Sequence, residues 1–343
     1  MLFRSNERFI NLKKMNNDKF LGHNGFLWFV GVVEDRADPQ YTGRVRVRWL
    51  GHHTSNTTIL PTSDLPWAQV VLPITSSGIS GVGQSPLGLV EGSWVFGYFR
   101  DGSNRQEPLV IGSLPGRPSE YGNPNKGFYD PNRRSDDDTL DDYNISVYPR
   151  NIDEPDVNRL AVNNPDKQHS SLTTRTADRL TNIQGVNNLW SQPEISYNAV
   201  YPYNHVYESE SGHIMEFDDS FEIDEDGNRT NHYRVHLRHT SGTSIEMTNN
   251  GDTVEITKNN RYILVTADNK VYIKGTKDVV IDGDYDLKVN GNYNITVAGD
   301  PETGKGNYNI SVAGNKTETI EGTKTSNTTG AVVHTGSTID LNP

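Results

Sequence analysis

Apolar and polar side chains alternate in short runs along residues 25–115: Trp28–Val33, Arg44–Trp49, Trp67–Leu72, Ser93–Phe99 and Leu109–Ile111. Turn residues separate the runs at Asp38-Pro39, Tyr41–Gly43, Pro61-Thr62, Ser76–Gly78 and Asp101-Gly102. Period-two runs bounded in this way predict strands. Five strands so closely spaced fit a small barrel of the OB type, and by count alone they fit other small barrels too. Within Arg44–Trp49 the valines face one way and Arg44, Arg46 and Arg48 the other, so a strand with one wet, basic face is expected.

The pattern changes over residues 116–197. Prolines recur at 118, 124, 131, 149, 155, 165 and 193, the acidic groups Asp136–Asp138 and Asp141-Asp142 intervene, and asparagine is frequent. Such a stretch buries little apolar surface and reads as an extended connector, with at most a short helix near Thr173–Leu180. Strand patterning returns over 198–258. Asp226-Gly227 marks a hairpin between Ile214–Phe217 and Tyr233–Leu237.

The tail repeats every eight residues. Aligned on glycine, the segments 271–275, 279–283, 287–291, 295–299, 310–314 and 318–322 carry apolar or polar side chains in fixed places, with the corner at Gly275, Gly283, Gly291, Gly299, Gly314 and Gly322; Gly330 closes the next unit. The first and third positions hold Val271 and Ile273, Val279 and Ile281, Leu287 and Val289, Ile295 and Val297, Ile310 and Val312, and then Ile320. Between Gly299 and Gly306 a seven-residue step without an aliphatic pair reads as a loop extruded between normal octads.

An octad is even, so each repeat turns the same side inward. One chain cannot close a core this way, because a single-chain β-helix needs on the order of 20 residues per turn. Three chains can, each supplying one side of a triangular prism whose strands stack at about 4.8 Å. The octads therefore predict an intertwined triple-stranded β-helix in a homotrimer, with a more polar core where Glu318, Ser326 and Thr328 turn inward. A Gly/Asn-rich linker would not hold β-branched residues in register, and a calcium-binding β-roll needs a nine-residue period.

Composition narrows the function classes. The 343 residues are only 33% AVILMFWYC and include no cysteine, which excludes disulfides, thiolate chemistry and cysteine zinc sites. A formal charge of −12 lacks the basic footprint of a nucleic-acid binder. No run approaches the roughly 20 apolar residues of a membrane span. The first twenty residues carry Arg4, Glu7, Arg8, Lys13 and Lys14 without an apolar stretch, so no secretory leader is expected.

Candidate chemistry is sparse. Asp218-Asp219 and Asp224–Asp226 flank a turn, where carboxylates are ordinarily solvated. Glu222–Gly227 opens like a calcium loop, but the twelfth position is Tyr233. His232 and His236 share a strand face with Arg234 between them, which reads as a surface strand rather than a metal site. His334 is a weak metal candidate, since threefold symmetry would bring three copies to one axis. Ser77–Gly83 lacks a phosphate-loop lysine, and no nucleophile elbow is present. No catalytic set and no cofactor site is expected.

Several of these stretches carry a family likeness. Trp28–Arg36 with Asp38-Pro39, Gly43–Arg48, Leu65–Trp67, Pro73–Thr75, Val90–Gly92 and Val110–Gly112 resemble the N-terminal OB domain of the central spike, or baseplate hub, proteins of T-even-like contractile-tailed phages. Tyr201–Tyr203, Glu210–Ile214 and Glu216–Asp219 resemble the junction before that family's needle, and the octads resemble its triple-stranded β-helix. The resemblance implies an all-β chain: residues 1–24 an N-terminal arm, 25–118 the OB barrel, 119–197 the connector, 198–258 a β transition region and 259–343 the needle. It also implies a membrane-piercing role: a spike caps the tail tube beneath a ring-shaped hub protein and is driven through the host envelope when the sheath contracts. A PAAR-type tip protein is the implied partner at the C-terminal end. The family's best-known members carry a lysozyme domain between barrel and needle; residues 116–197 are too short and too proline-punctuated for one, so no muralytic activity is carried over. The alternatives are a type VI secretion spike, a trimeric glycan-binding tailspike, and an oligonucleotide-binding barrel. Against the last, Arg44, Arg46 and Arg48 are expected to face the ring partner.

Overall fold

The computed structural model describes residues 25–85, 88–120, 123, 125–129, 152–163, 179–186, 188–194, 197–299, 304 and 306–339. Five strands, β1 (Leu27–Asp35), β2 (Val45–Trp49), β3 (Trp67–Val70), β4 (Trp94–Phe99) and β5 (Pro108–Ser113), close into a barrel in the order β1-β2-β3-β5-β4. All five match the runs read from alternation. Pairing is antiparallel except for β3 with β5, which run parallel.

Inside, Phe29, Val33, Val45, Val47, Trp49, Ala68, Val95, Phe99 and Val110 form one core. The Phe29, Trp49 and Phe99 rings meet at 4.6–5.7 Å between centroids. Full burial of each aliphatic side chain here is worth about 1.5–3 kcal/mol. Gly97 allows β4 to bend onto β5: a Cβ on it would lie 2.0 Å from the Leu109 carbonyl oxygen, beside the irregular register at Phe96/Gly97.

The arginine stripe is not a wet face. Arg48 has no exposed surface, and its guanidinium donates to both Glu34 oxygens at 2.6 and 3.0 Å and to the Thr54 and Leu60 carbonyls. Glu34 also accepts from Thr62 Oγ1 and from the Phe128 amide. This buried pair pins residues 54–62 and 127–128 to the outside of the barrel. Arg44 is held by Asp38 at 2.6 Å, and the bond from Arg44 keeps the Asp38 carboxyl far below the usual range despite its burial. Arg46 caps the Thr62, Ser63 and Leu65 carbonyls and lies 4.5 Å over the Trp67 ring. The expectation that these arginines face a ring partner is therefore corrected for Arg48, which is covered by the chain's own loops; Arg44 and Arg46 are tied within the barrel but keep 23% and 18% of their side chains exposed.

A second unit of structure follows. Strands β6 (Ile183–Gln184) and β7 (Leu189–Trp190) form a small hairpin. Strands β8 (Asn204–Glu208), β9 (Ile214–Asp218), β12 (Arg234–Arg238), β13 (Ser244–Met247) and β14 (Thr253–Ile256) build an antiparallel sheet in the order β14-β13-β12-β9-β8. The predicted hairpin exists as β9 paired with β12, and its tip carries two further strands, β10 (Phe221–Ile223) and β11 (Arg229–Asn231), around Gly227. Leu160, Ile214, Tyr197 and Val206 pack together, and the Tyr197 hydroxyl donates to the Leu160 carbonyl at 2.7 Å. The helix predicted near Thr173–Leu180 falls largely outside the described residues; Arg179 and Leu180 are not helical.

Two outcomes follow from the barrel. Glu34→Ala should strand the Arg48 charge and lower stability by about 3–5 kcal/mol, read as a fall in the denaturant midpoint. His53 stacks on Trp49 at 4.2 Å, and burial with the Arg48 charge lowers its pKa to about 4 from the usual 6.5. The folded state then binds fewer protons than the unfolded chain between those values, so stability should fall as pH drops from 6.5 to 4. His53→Asn should flatten that part of the melting-temperature profile.

Candidate functional site

The octad repeat predicted from sequence is a place where the fold leaves a periodic row of apolar side chains uncovered. Across residues 259–278, and separately across 279–339, the described chain is extended, exposed and free of strand pairing within itself. It bends at 258–259, 266–267, 274–275, 282–283 and 290–291, then at 313–314, 321–322 and 329–330. The eight-residue period is therefore present in the backbone. It begins before the first corner glycine, with Asn259 and Ala267 at the earlier bends.

No two of the predicted core positions are brought into a shared interior. Val271, Ile273, Val279, Ile281, Leu287, Val289, Ile295, Val297, Ile310, Val312 and Ile320 are all exposed, between 44% and 72%. A contiguous row of exposed aliphatic pairs is the kind of surface that marks an interaction site.

The corner glycines show the same deficit. At Gly275, Gly283, Gly291, Gly314, Gly322 and Gly330 an added Cβ would meet nothing within 4 Å, and none has a positive φ. Nothing within one chain requires glycine there. Gly299 differs, with a φ of +84° where the octads are interrupted. A Cβ on Gly306 would lie 2.8 Å from the Gly299 Cα, so the chain leaves the octad path at one glycine and rejoins it at the other. The extruded loop read from the sequence has its two ends in contact, although residues 300–303 and 305 lie outside the described residues.

The chemical candidates resolve into structural roles. Asp224 accepts from the Asn228 amide at 2.7 Å and from its side chain at 3.0 Å, and the Asn228 bonds lower its pKa. It caps the β10–β11 turn. Asp218 is buried and accepts from the Ser220 amide at 3.0 Å. The surface-strand reading of Arg234 and His236 is overturned, since they are 2% and 0% exposed. Burial would raise the Glu216 pKa, but the His236 hydrogen bond, the Arg234 charge and the Asn204 hydrogen bond hold it low. Arg234 lies 2.5 Å from the Glu216 carboxylate and His236 3.1 Å from it. Alternation along β12 was legible; that its charged side is the covered one was not. His334 is exposed, and among the described residues no three His, Asp or Glu side chains are grouped as a metal would require.

A half-open cleft of about 670 Å³ lies beside β4, lined among others by Trp94, Arg117, Glu120, Lys126, Tyr129 and Asp156. The Tyr129 hydroxyl donates to Glu120, and Asp156 accepts from the Gly116 amide at 3.1 Å. Its polar groups tie the loops to one another and do not set a nucleophile beside a base.

Residues 51–196 match the Gp5 N-terminal OB domain family, a stretch that opens just after β2 and runs on past β5. Protein Gp5 of Vibrio phage KVP40 is 33% identical over 295 residues, which cover 76% of this chain and 65% of that protein. The pre-baseplate central spike protein Gp5 of Enterobacteria phage T4 is 45% identical over 113 residues, 32% of this chain and 20% of that protein. The chain thus spans less than two thirds of the length of either relative. The closed five-stranded barrel fits that match: the chain is similar to these Gp5 proteins, and residues 51–196 match their N-terminal OB domain.

Proposed function

We propose that the chain is the central spike of a contractile phage tail baseplate, a structural part of the virion assembled in the host cytoplasm. The barrel caps the tail tube beneath a ring-shaped hub protein. The octads of three copies wind into a triple-stranded β-helix that is driven through the host outer envelope on contraction, with a PAAR-type protein seated at its end. No catalytic step is part of this role.

One observation carries the reading: a Gp5-type barrel stands in the same chain as an octad repeat whose aliphatic pairs have nothing to cover them. Three copies around an axis would bury those pairs and satisfy the backbone of every strand by stacking it between neighbours. Such a prism is stiff along its axis, since many stacked hydrogen bonds must break together before it buckles.

The mass in solution should be three times 38.3 kDa by light scattering. A stable folded monomer would end the needle reading. Val289→Asp should place three carboxylates on the axis and block the trimer, whereas Lys288→Asp on the neighbouring outward position should leave it intact. A peptidoglycan-clearing assay should be blank.

A further inference from the structure

The outer wall of the barrel between β1 and β4 is aromatic. Register pairs Trp28 with Tyr98 and Val30 with Phe96, the positions of these strands that turn away from the core. Phe26, just before β1, completes a cluster with Trp28, Tyr98 and Phe96 in which neighbouring ring centroids lie 4.6–6.5 Å apart. Phe26, Trp28 and Val30 are 42%, 52% and 37% exposed. Leu50, whose amide donates to the Val30 carbonyl at 2.8 Å, extends the row and is 55% exposed. The interior behind these strands is filled by Phe29, Val95 and Phe99, so closing the barrel does not call for aromatic side chains outside it. A contiguous apolar patch of this kind marks a surface that something covers.

The place where the chain enters β1 points to the cover. Residues 1–24 join the barrel at this wall, and the Phe26 side chain, next to the junction, already lies on it. Gly25 has a φ of +88°, which re-aims the backbone at the start of β1. It closes the turn-forming run Gly22-His23-Asn24-Gly25, and Phe20-Leu21 stands just before that run. Phe20 and Val30 are each five residues from Gly25, a reach of roughly 16 Å in extended chain on either side, so a returning segment brings Phe20 and Leu21 level with Val30 and Leu50. Phe9, Ile10 and Leu12 supply further apolar side chains behind them. The same segment carries Arg4, Arg8, Lys13, Lys14 and Lys19 against Glu7 and Asp18, opposite in sign to the net −12 of the chain, which draws it toward the chain's own surface.

We propose that the arm formed by residues 1–24 returns over the β1–β4 wall of its own chain, with Phe20 and Leu21 seated against Trp28, Val30 and Leu50. The barrel then presents the arm's cations, and not its aromatic wall, to whatever docks on that side. The cover is made within each chain, so it stands apart from the trimeric reading.

The chain lacks cysteine, so introduced thiols report cleanly. In the full chain, Val30→Cys and Leu50→Cys on the wall would be compared with Asn104→Cys, an exposed site on the same barrel, for maleimide labelling under native conditions. The wall thiols should label at least about tenfold more slowly. Adding Phe20→Asp and Leu21→Asp should bring them to the Asn104→Cys rate and leave that control rate unchanged. In the double variant Leu21→Cys, Val30→Cys, mild oxidation should consume both thiols within one chain, with no covalent dimer on a denaturing gel. Wall thiols that label as fast as the control, or slow labelling that the arm substitutions do not relieve, would overturn the inference. Covalent dimers would overturn it as well, since a neighbouring copy's arm would then be the cover; if neither bond forms, Leu21 does not sit at Val30 and the seating falls.

Discussion

A strand that carries only two inward aliphatic side chains has no interior of its own. Every feature of the C-terminal third follows from that shortage: the low apolar fraction, the bare pairs from Val271 to Ile320, and glycine corners that no contact within the chain demands. On the trimeric reading proposed above, further copies of the chain supply the cover, which an even repeat permits because it presents the same side at each turn. In an obligate assembly of this kind folding and association are a single equilibrium.

The barrel solves the opposite problem. It has an interior, filled by Phe29, Trp49, Phe99 and their aliphatic neighbours, and it uses charge to fasten long loops to its outside. Arg48 with Glu34 is the tie that matters most, because both charges are out of water and between them the pair bonds the loop segments at 54–62 and 127–128. Gly127 belongs to the same tie: a Cβ on it would fall 2.1 Å from the Arg48 Nε. The Gp5-type domain thus fastens its loops to the barrel wall through a buried ion pair.

Between barrel and octads, the five-stranded sheet changes how charge is used. Its ionic layer is covered and its apolar layer is open, the reverse of the partition that transfer free energies favour for an isolated chain. Arg36, just after β1, also bonds to Glu210 in the β8–β9 turn, so a charged contact links the sheet to the barrel.

The sequence by itself determined the elements. Alternation gave the five barrel strands and β9 and β12, and the glycine spacing gave the eight-residue bends, because both are local properties of a backbone whose side chains alternate or turn at fixed intervals. Which face of each strand is covered was decided only by tertiary structure. Arg48 and His236 both sit on the side that alternation assigns to water, yet segments distant in sequence, at 54–62 and 127–128 for Arg48, and Glu216 on β9 for His236, close over them. Periodicity tells two faces apart. It carries no information about what arrives to cover either one, since that depends on contacts far along the chain or beyond it.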